Sequence, residues 1–478
     1  MLFRSNTGKY RQAEEQFLRS LEIRSGIFPA GHPERAAALN DLGLVYGQSD
    51  PQKALEFYQH AADLYQAAYG SQHPKMAIAQ TNMGIMYKKL GKNDEAISNF
   101  ERALMVWKRV YPDGHPNQAL VLSYLAQTHT MLNHPAVAAG LFRQALRQYR
   151  KAYGEKHPDI AATCNQYAIF HIGNRNYDSA LVLLQQALKA NSRNFQGISF
   201  GNPASSDHFN PYVLLYSLQQ KAEVLEARHY GKTLRLEDLT EAETALAVCD
   251  TLIGQIRRQS PEETDKITLG AIAQEVYEDG VRICHAVSEL VSRPDPWEER
   301  AWRYAEKSKA AVLLESIADA SARSFAGLPD SLLDRERRFK AELALLTRRL
   351  AEAAGTADEQ PVHSELYSLK QKQELFTAKL RTDFPRYFNL KYQNIIPTTD
   401  ELQRILGEQE GMVSYFIGEK ASTLFIFSLT RDRFTVRARA LPENFQSTVK
   451  GFNNALRFDV PVVYRSEEHT SELQSHLN

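Results

Sequence analysis

Three cysteines are the most reactive side chains that this sequence offers. Cys164, Cys249 and Cys284 lie far apart, are odd in number and form no CxxC spacing. A zinc site or a redox pair needs closely spaced thiols, and a disulfide framework needs an even set. The pattern is typical of reduced thiols in a cytoplasmic compartment. We therefore expect no disulfide, no metal site and no cofactor.

Histidine is the second residue type that could do chemistry, and it recurs regularly before proline. His32, His73, His115 and His157 each precede a proline, at steps of 41, 42 and 42 residues. Four histidines could be interpreted as a metal cluster. One histidine at the start of each repeated unit is better explained as a helix cap, because proline is favoured in the first turn that follows.

The elements that carry these histidines are predicted by residues in the same register. Within each repeat, apolar residues at i, i+4 and i+7 share one helix face, which predicts two amphipathic helices per repeat. Small residues let the first helix approach its partner, and larger ones are expected to fill the space between pairs. The registered positions are Gly43, Gly84, Ala126 and Ala168; Ala54, Ala96, Ala138 and Ala180; and Tyr58, Phe100, Phe142 and Leu184. The first interval is one residue shorter, which predicts a deletion in the turn near Gln48–Pro51.

These residues resemble the tetratricopeptide repeat, in the variant of roughly 42 residues known from kinesin light chains. The resemblance covers residues 1–195: the second helix of an incomplete repeat, and then four full pairs. We infer that the true N-terminus lies upstream. The resemblance implies a mainly α fold, a right-handed α-solenoid whose concave groove, lined by first helices, binds a peptide or a partner protein.

The groove residues follow from the same register. In the family, the position two before the small residue often carries an asparagine that holds a bound backbone; here it reads Asp41, Asn82, Tyr124 and Gln166. The ladder is imperfect, so the chemistry of the ligand stays open. The predicted groove residues are Asn40, Asp41, Asn82, Lys88, Lys89, Gln127, Asn165 and Gln166.

Regular repetition ends near Asn194, and the chain then changes character twice. Residues 196–320 are predicted to form degenerate helical repeats. Residues 321–390 carry leucine and phenylalanine at spacings of three and four, which predicts an antiparallel helical hairpin. Residues 391–464 change to a period of two, with the runs MVSYFIG, STLFIFSL and FTVRARAL, which predicts the start of a sheet.

The repeats, a YAEKSKAAVLLE helix, a GLPDSLLDRE hairpin and the strand run GMVSYFIGEKASTLFIFSL together look like bacterial CHAT proteins, in which a caspase-like domain accompanies such repeats. That resemblance implies a cysteine protease or its inactive relative, with a His and a Cys at strand ends. No cysteine follows Cys284, and past residue 400 the only histidines are His469 and His476. We expect this chain to be no enzyme. The alternative is that it is the regulatory part of a protease whose catalytic residues lie downstream.

The C-terminal tail also predicts a fragment. From Arg465, RSEEHTSELQS looks like the in-frame translation of a sequencing adapter, so residues 465–478 are expected to be an artefact and the CHAT domain to be truncated. Opening strands without the rest of their sheet would leave an uncovered apolar face. Residues 411–464 are therefore expected to be poorly ordered.

Charge and hydropathy exclude two classes of partner. The 57 lysines and arginines equal the 57 aspartates and glutamates, so the chain has no overall field to hold nucleic acid. No apolar run approaches the roughly 20 residues of a membrane span. A protein or peptide partner is the prediction, and a stiff spacer or a self-association surface is a third interpretation.

Overall fold

The described part of the chain is mainly helical, with helices paired in series as in a tetratricopeptide solenoid. The computed structural model describes residues 7–197, 201–259, 263–310, 329–353, 359–385, 396–420, 422–442, 444–445 and 447–448. Within these described residues, a single helix, α1 (Thr7–Ile27), precedes six pairs. Pairs one to four are α2 (Pro33–Ser49) with α3 (Pro51–Tyr69), α4 (Pro74–Lys89) with α5 (Asn93–Val110), α6 (Pro116–Met131) with α7 (Pro135–Tyr153), and α8 (Pro158–Gly173) with α9 (Tyr177–Ala190).

The repeated histidines cap the first helices, as the sequence predicts. Each is the N-cap residue, and its Nδ1 accepts a hydrogen bond from the backbone N–H two residues on, at 3.1–3.2 Å. Each ring also stacks on the aromatic ring four residues earlier. The four stacked pairs, with centroid distances, are Phe28–His32 (4.3 Å), Tyr69–His73 (4.2 Å), Tyr111–His115 (4.4 Å) and Tyr153–His157 (3.8 Å).

Replacing His115 with alanine is expected to loosen the start of α6. The variant loses the cap, a loss of about 1 kcal/mol, together with the stacking on Trp107 and Tyr111. Hydrogen exchange of the first-turn amides of α6 measures the effect. His115→Asn keeps a capping oxygen, so it should exchange more slowly than His115→Ala. Equal exchange in both variants would show that the cap contributes nothing.

The small residues of the first helices touch the large residues of their own pair. A Cβ added at Gly43 would lie 2.5 Å from the Tyr58 ring, and one at Gly84 would lie 2.6 Å from the Phe100 ring. The expectation that these large side chains fill the space between pairs is therefore only half right. Phe100 packs inside pair two and stacks on Tyr124 of the next pair at 5.6 Å.

A single residue joins the two helices of pair one. Asp50 closes α2, because its N–H donates to the carbonyl of Tyr46, and it opens α3, because its Oδ1 accepts from the N–H of Lys53 at 3.0 Å. The later pairs have longer connections, such as residues 90–92 in pair two. The short turn is the place where the sequence predicts the missing residue.

Two longer pairs follow after an irregular segment. Asp207 organises that segment by accepting backbone N–H groups of Arg193, Asn194 and Phe195. Pair five is α10 (Pro211–Arg228), which continues into a π-helical turn at His229–Thr233, with α11 (Leu236–Gln259). Pair six is α12 (Glu263–Leu290) with α13 (Asp295–Ala310). The last residues of the predicted degenerate repeats, 311–320, lie outside the described residues.

The predicted helical hairpin is formed by α14 (Asp330–Ala353) and α15 (Glu359–Asp383). Its core contains Phe339 and Leu343 from the first helix and Leu369, Phe376 and Leu380 from the second. Phe339 and Phe376 meet at the centre with ring centroids 5.4 Å apart.

The chain then forms a short helix, α16 (Thr399–Ile405), and a three-stranded antiparallel sheet of β1 (Gly411–Gly418), β2 (Thr423–Thr430) and β3 (Phe434–Ala440), in that order. Ile426 of β2 lies opposite both Tyr415 and Arg437. The sheet has two faces. One face exposes Val413, Tyr415 and Ile417, and the other packs on α12 and α13. The expectation of an uncovered sheet is wrong for that second face. Residues 449–478, with the predicted artefact tail, lie outside the described residues.

Candidate partner-binding face

The first helices present one face on which every registered residue is partly or fully exposed. Relative to the small residue, its positions are six before, two before and one after, a spacing of i, i+4 and i+7. We call this surface the first-helix face. Its members are Ala37, Asp41 and Leu44 in α2; Ile78, Asn82 and Ile85 in α4; Leu120, Tyr124 and Gln127 in α6; and Ala162, Gln166 and Ile169 in α8.

The face is largely apolar, with few charges. Leu44 is 56% exposed, and Ile78 and Leu120 are 37% and 39% exposed. Asp41 is half-buried, and burial raises the pKa of its carboxyl despite the nearby Arg24 and Lys75. Apolar side chains with a few polar groups among them are typical of a peptide-binding surface.

Asn40 and Asn82 bridge the first helices of pairs one and two. Nδ2 of Asn82 donates to Oδ1 of Asn40 at 2.9 Å, and both side chains stay half-buried. The remaining donor and acceptor groups of the two amides can still meet a bound backbone.

Lys88 of α4 is a cation that contacts two members of this face, Gln127 and Tyr124. Its Nζ donates to Oε1 of Gln127 at 2.6 Å and lies 5.0 Å from the centroid of the Tyr124 ring. Burial, followed by the charge of Lys89, lowers the pKa of Lys88 to about 8. Among the described residues, no ion pair includes Lys88, so its charge is held by an amide oxygen and a ring alone. Lys89 donates to the backbone carbonyl of Gly47 at 2.6 Å.

Asn165 and Gln166 lie at the boundary of pairs four and five. Asn165 is 1% exposed, and its Nδ2 donates to Oγ of Ser217 at 2.8 Å, which ties α8 to α10. A ligand therefore cannot reach the Asn165 side chain in this structure, although the sequence predicts it as a groove residue. Gln166 stays partly exposed and hydrogen-bonds the hydroxyl of Tyr216.

The structure adds acidic residues that the sequence reasoning missed. Glu223 of α10 and Glu278 and Asp279 of α12 meet Lys420 of the sheet. The signal was present in Gly280, the small residue of α12. Its register places Glu278 two residues before it, the position that Asn82 has in α4.

The cysteines do not contribute to this face. All three are fully buried. Burial raises the pKa of the Cys164 thiol to about 12 and also raises the pKa of Cys249 and Cys284. They are neutral thiols closed to a substrate. Within the described ranges, no group of three or more His, Cys, Asp or Glu side chains could hold a metal ion. None of the described helices has the length and apolar character to cross a membrane.

Comparison with known proteins finds tetratricopeptide repeats in the N-terminal part of the chain. The profile of the tetratricopeptide repeat family matches residues 2–67, 47–104 and 75–151. None of the curated proteins compared with this chain is significantly similar to it.

Solved structures include several with similar helix arrangements. BtubC (BKLC) from P. vanneervenii is 18% identical, covers 52% of this chain and 92% of its own, and has a TM-score of 0.42. The kinesin light chain TPR-like repeats of Podosopora anserina are 21% identical, cover 39% and 88%, and have a TM-score of 0.33. Pseudomonas aeruginosa pilF is 19% identical, covers 54% and 88%, and has a TM-score of 0.32.

The family profile matches residues 2–151, and in the described part of that range the His-Pro caps recur and small residues pack against large ones. Over residues 2–151 this chain is similar to the tetratricopeptide repeat family.

Proposed function

We propose that this chain is a protein-interaction scaffold whose first-helix face binds an extended segment of a partner protein. The observation that carries the proposal is Lys88. It is a half-buried cation held by Gln127 and Tyr124. The accessible apolar residues Ile85 and Leu120 lie about one helical turn before Lys88 and Tyr124 on the same helices. A buried charge without a counter-charge is costly, and an anionic group of a partner would relieve that cost.

The proposed site consists of two kinds of contact. Apolar residues of the first-helix face would bind apolar side chains of the partner, and Lys88 and Lys89 would bind a carboxylate. The amides would hold the partner's backbone. The polar residues assigned to the site are Asn40, Asp41, Asn82, Lys88, Lys89, Gln127 and Gln166. A cytoplasmic location suits the buried, reduced thiols, and residues 1–195 form the binding unit in this proposal.

A peptide library displayed against the full chain tests this. Selected peptides should carry an acidic group and apolar residues, and Lys88→Met should weaken them about tenfold or more, because a partly desolvated charge pair is lost. Lys108→Met, the same change on an exposed second-helix lysine, is the control. Binding should also weaken as the pH rises above about 8, where free Lys88 loses its proton. Peptides indifferent to Lys88 and Asn82 would rule out this face.

We also propose that the sheet is the opening part of a CHAT domain in the intact protein. The support is the resemblance of the hairpin and strand runs, together with three consecutive antiparallel strands. Sequencing the source transcript beyond the codon for Tyr464 tests it. A reading frame that continues into strands ending in a His and then a Cys would support a repeat-regulated cysteine protease. A frame without them would leave an interaction scaffold.

A further inference from the structure

The register of the first helices extends to pair six. A Cβ added at Gly280 of α12 would lie 2.6 Å from the ring of Tyr304 in α13. A Cβ added at Gly84 would lie at the same distance from the ring of Phe100. Gly280 is therefore the small residue of this pair. Glu278 lies two residues before Gly280, which is a position of the first-helix face. In α10 the buried Ala222 has the place of the small residue, and Glu223 follows it directly. Ile85 has the same position after Gly84 in α4. Both glutamates thus have registered positions of the first-helix face.

The turn between β1 and β2 occupies this end of the face. The backbone N–H of Lys420 donates to Oε1 of Glu278 at 2.5 Å. Its Nζ donates to Oε1 of Glu223 at 3.0 Å and to both carboxylate oxygens of Asp279 at 3.0 and 3.1 Å. One backbone amide and one ammonium group therefore join the sheet to two first helices.

The carboxylates depend on this lysine. Glu278 is 4% exposed and Asp279 is 1% exposed, and burial raises the pKa of Asp279 to about 7 despite the opposing charge of Lys420. Carboxylates this deeply buried are costly unless a cation pairs with them. Arg282 supplies a second cation, bonded to Asp279 Oδ1 at 2.6 Å.

Apolar contacts hold the rest of the sheet against pair six. Phe425 of β2 meets the ring of His285 in α12 edge to face at 5.6 Å, and Phe427 meets Trp302 in α13 in the same manner at 5.7 Å. These contacts fix the strands, so that the turn projects onto α10 and α12.

We propose that the β1–β2 turn is a built-in occupant of the first-helix face. Its backbone is held at the position where a partner's backbone is expected, and its lysine is held by carboxylates from two first helices. The inference rests on the proposed function, because it assumes that this face binds partners. A partner segment that extends to pairs five and six must displace the turn, and it must offer a basic side chain there. The sheet and the partner therefore compete for this end of the face.

Hydrogen exchange of the full chain tests the contact without any partner. Lys420→Met should make the amides of the turn and its flanking strands exchange about tenfold faster or more, because a charge-assisted contact is lost. Lys420→Arg, which keeps the charge, should stay close to the wild type. Glu419→Gln, a change of charge at the exposed neighbour in the same turn, is the control. Unchanged exchange in Lys420→Met would overturn the proposal.

Two further measurements keep the test decisive. If Lys420→Met unfolds the whole sheet, the variant Glu278→Ala decides, because it changes only α12 and must still speed hydrogen exchange at the Lys420 amide.

To test competition, peptides are selected for binding to the Lys420→Met chain. Peptides that protect α10 or α12 amides from exchange should bind the wild type about tenfold more weakly. Equal binding, or no peptide that protects these helices, would refute the occupant role. Peptides that bind only around Lys88 would leave the proposed function standing.

Discussion

Replacing Gly84 with valine is expected to destabilise pair two by about 2 kcal/mol or more. A Cβ at this position would lie 2.6 Å from Cε1 of Phe100, and Phe100 is fully buried between its own pair and the next. Overpacking of this kind forces buried rings off their rotamers. The shift of the urea unfolding midpoint measures the loss, and hydrogen exchange locates it in α4 to α7.

Gly140→Ala is a control for this change at a helical glycine with room for a Cβ. Gly140 lies inside α7, and nothing lies within 4 Å of an added Cβ. Alanine there should stabilise the helix by about 0.5–1 kcal/mol, because it restricts the unfolded chain more than glycine does. The two substitutions are therefore expected to have opposite signs. A stabilised Gly84→Val variant would show that the small residue is no packing requirement.

Replacing Trp302 with alanine is expected to detach the sheet from pair six. Trp302 is 2% exposed; its ring meets Phe427 and Phe434 edge to face, and its Nε1 donates to the carbonyl of Pro397 at 3.3 Å. Removing a buried tryptophan costs about 3–5 kcal/mol. Exchange of the β1, β2 and β3 amides should accelerate strongly, while α2 to α9 should exchange as in the wild type.

The same substitution elsewhere provides the control. Trp107 is equally buried, but it lies in α5, within the core of pairs two and three. Trp107→Ala should therefore accelerate exchange in pairs two and three and leave the strands unchanged, because solenoid repeats interact mainly with their neighbours. If Trp302→Ala affected all helices alike, the sheet would be part of one global cooperative unit.

Local patterns predicted the first four pairs because their determinants lie within one repeat. His115 predicts its own cap, and the small residue Gly84 predicts a close approach of the two helices of its pair. Both need only residues close in the chain. The groove candidates Asn82 and Lys88 also follow from this register, and their role as ligand contacts stays a prediction.

The contacts of the C-terminal sheet could not be predicted in this way. Lys420 and Asp279 are separated by 141 residues, and no periodicity links a strand turn to a helix so far away. In pair six, the small residue Gly280 and the large residue Tyr304 that it touches are also farther apart in sequence than Gly84 and Phe100 are in pair two. A search for a repeat of constant length therefore does not detect the register of pair six. The burial of Asn165 depends on Ser217, which lies in a helix beyond the irregular segment.

The aromatic ring stacked on a capping histidine has a consequence for how this array changes in length. The ring ends one repeat, the histidine begins the next, and the same joint recurs from Phe28–His32 to Tyr153–His157. Adding or removing one whole unit recreates this joint with no new kind of contact. Duplication or loss of a gene segment that encodes one repeat therefore changes the length of the array and leaves each junction between repeats intact.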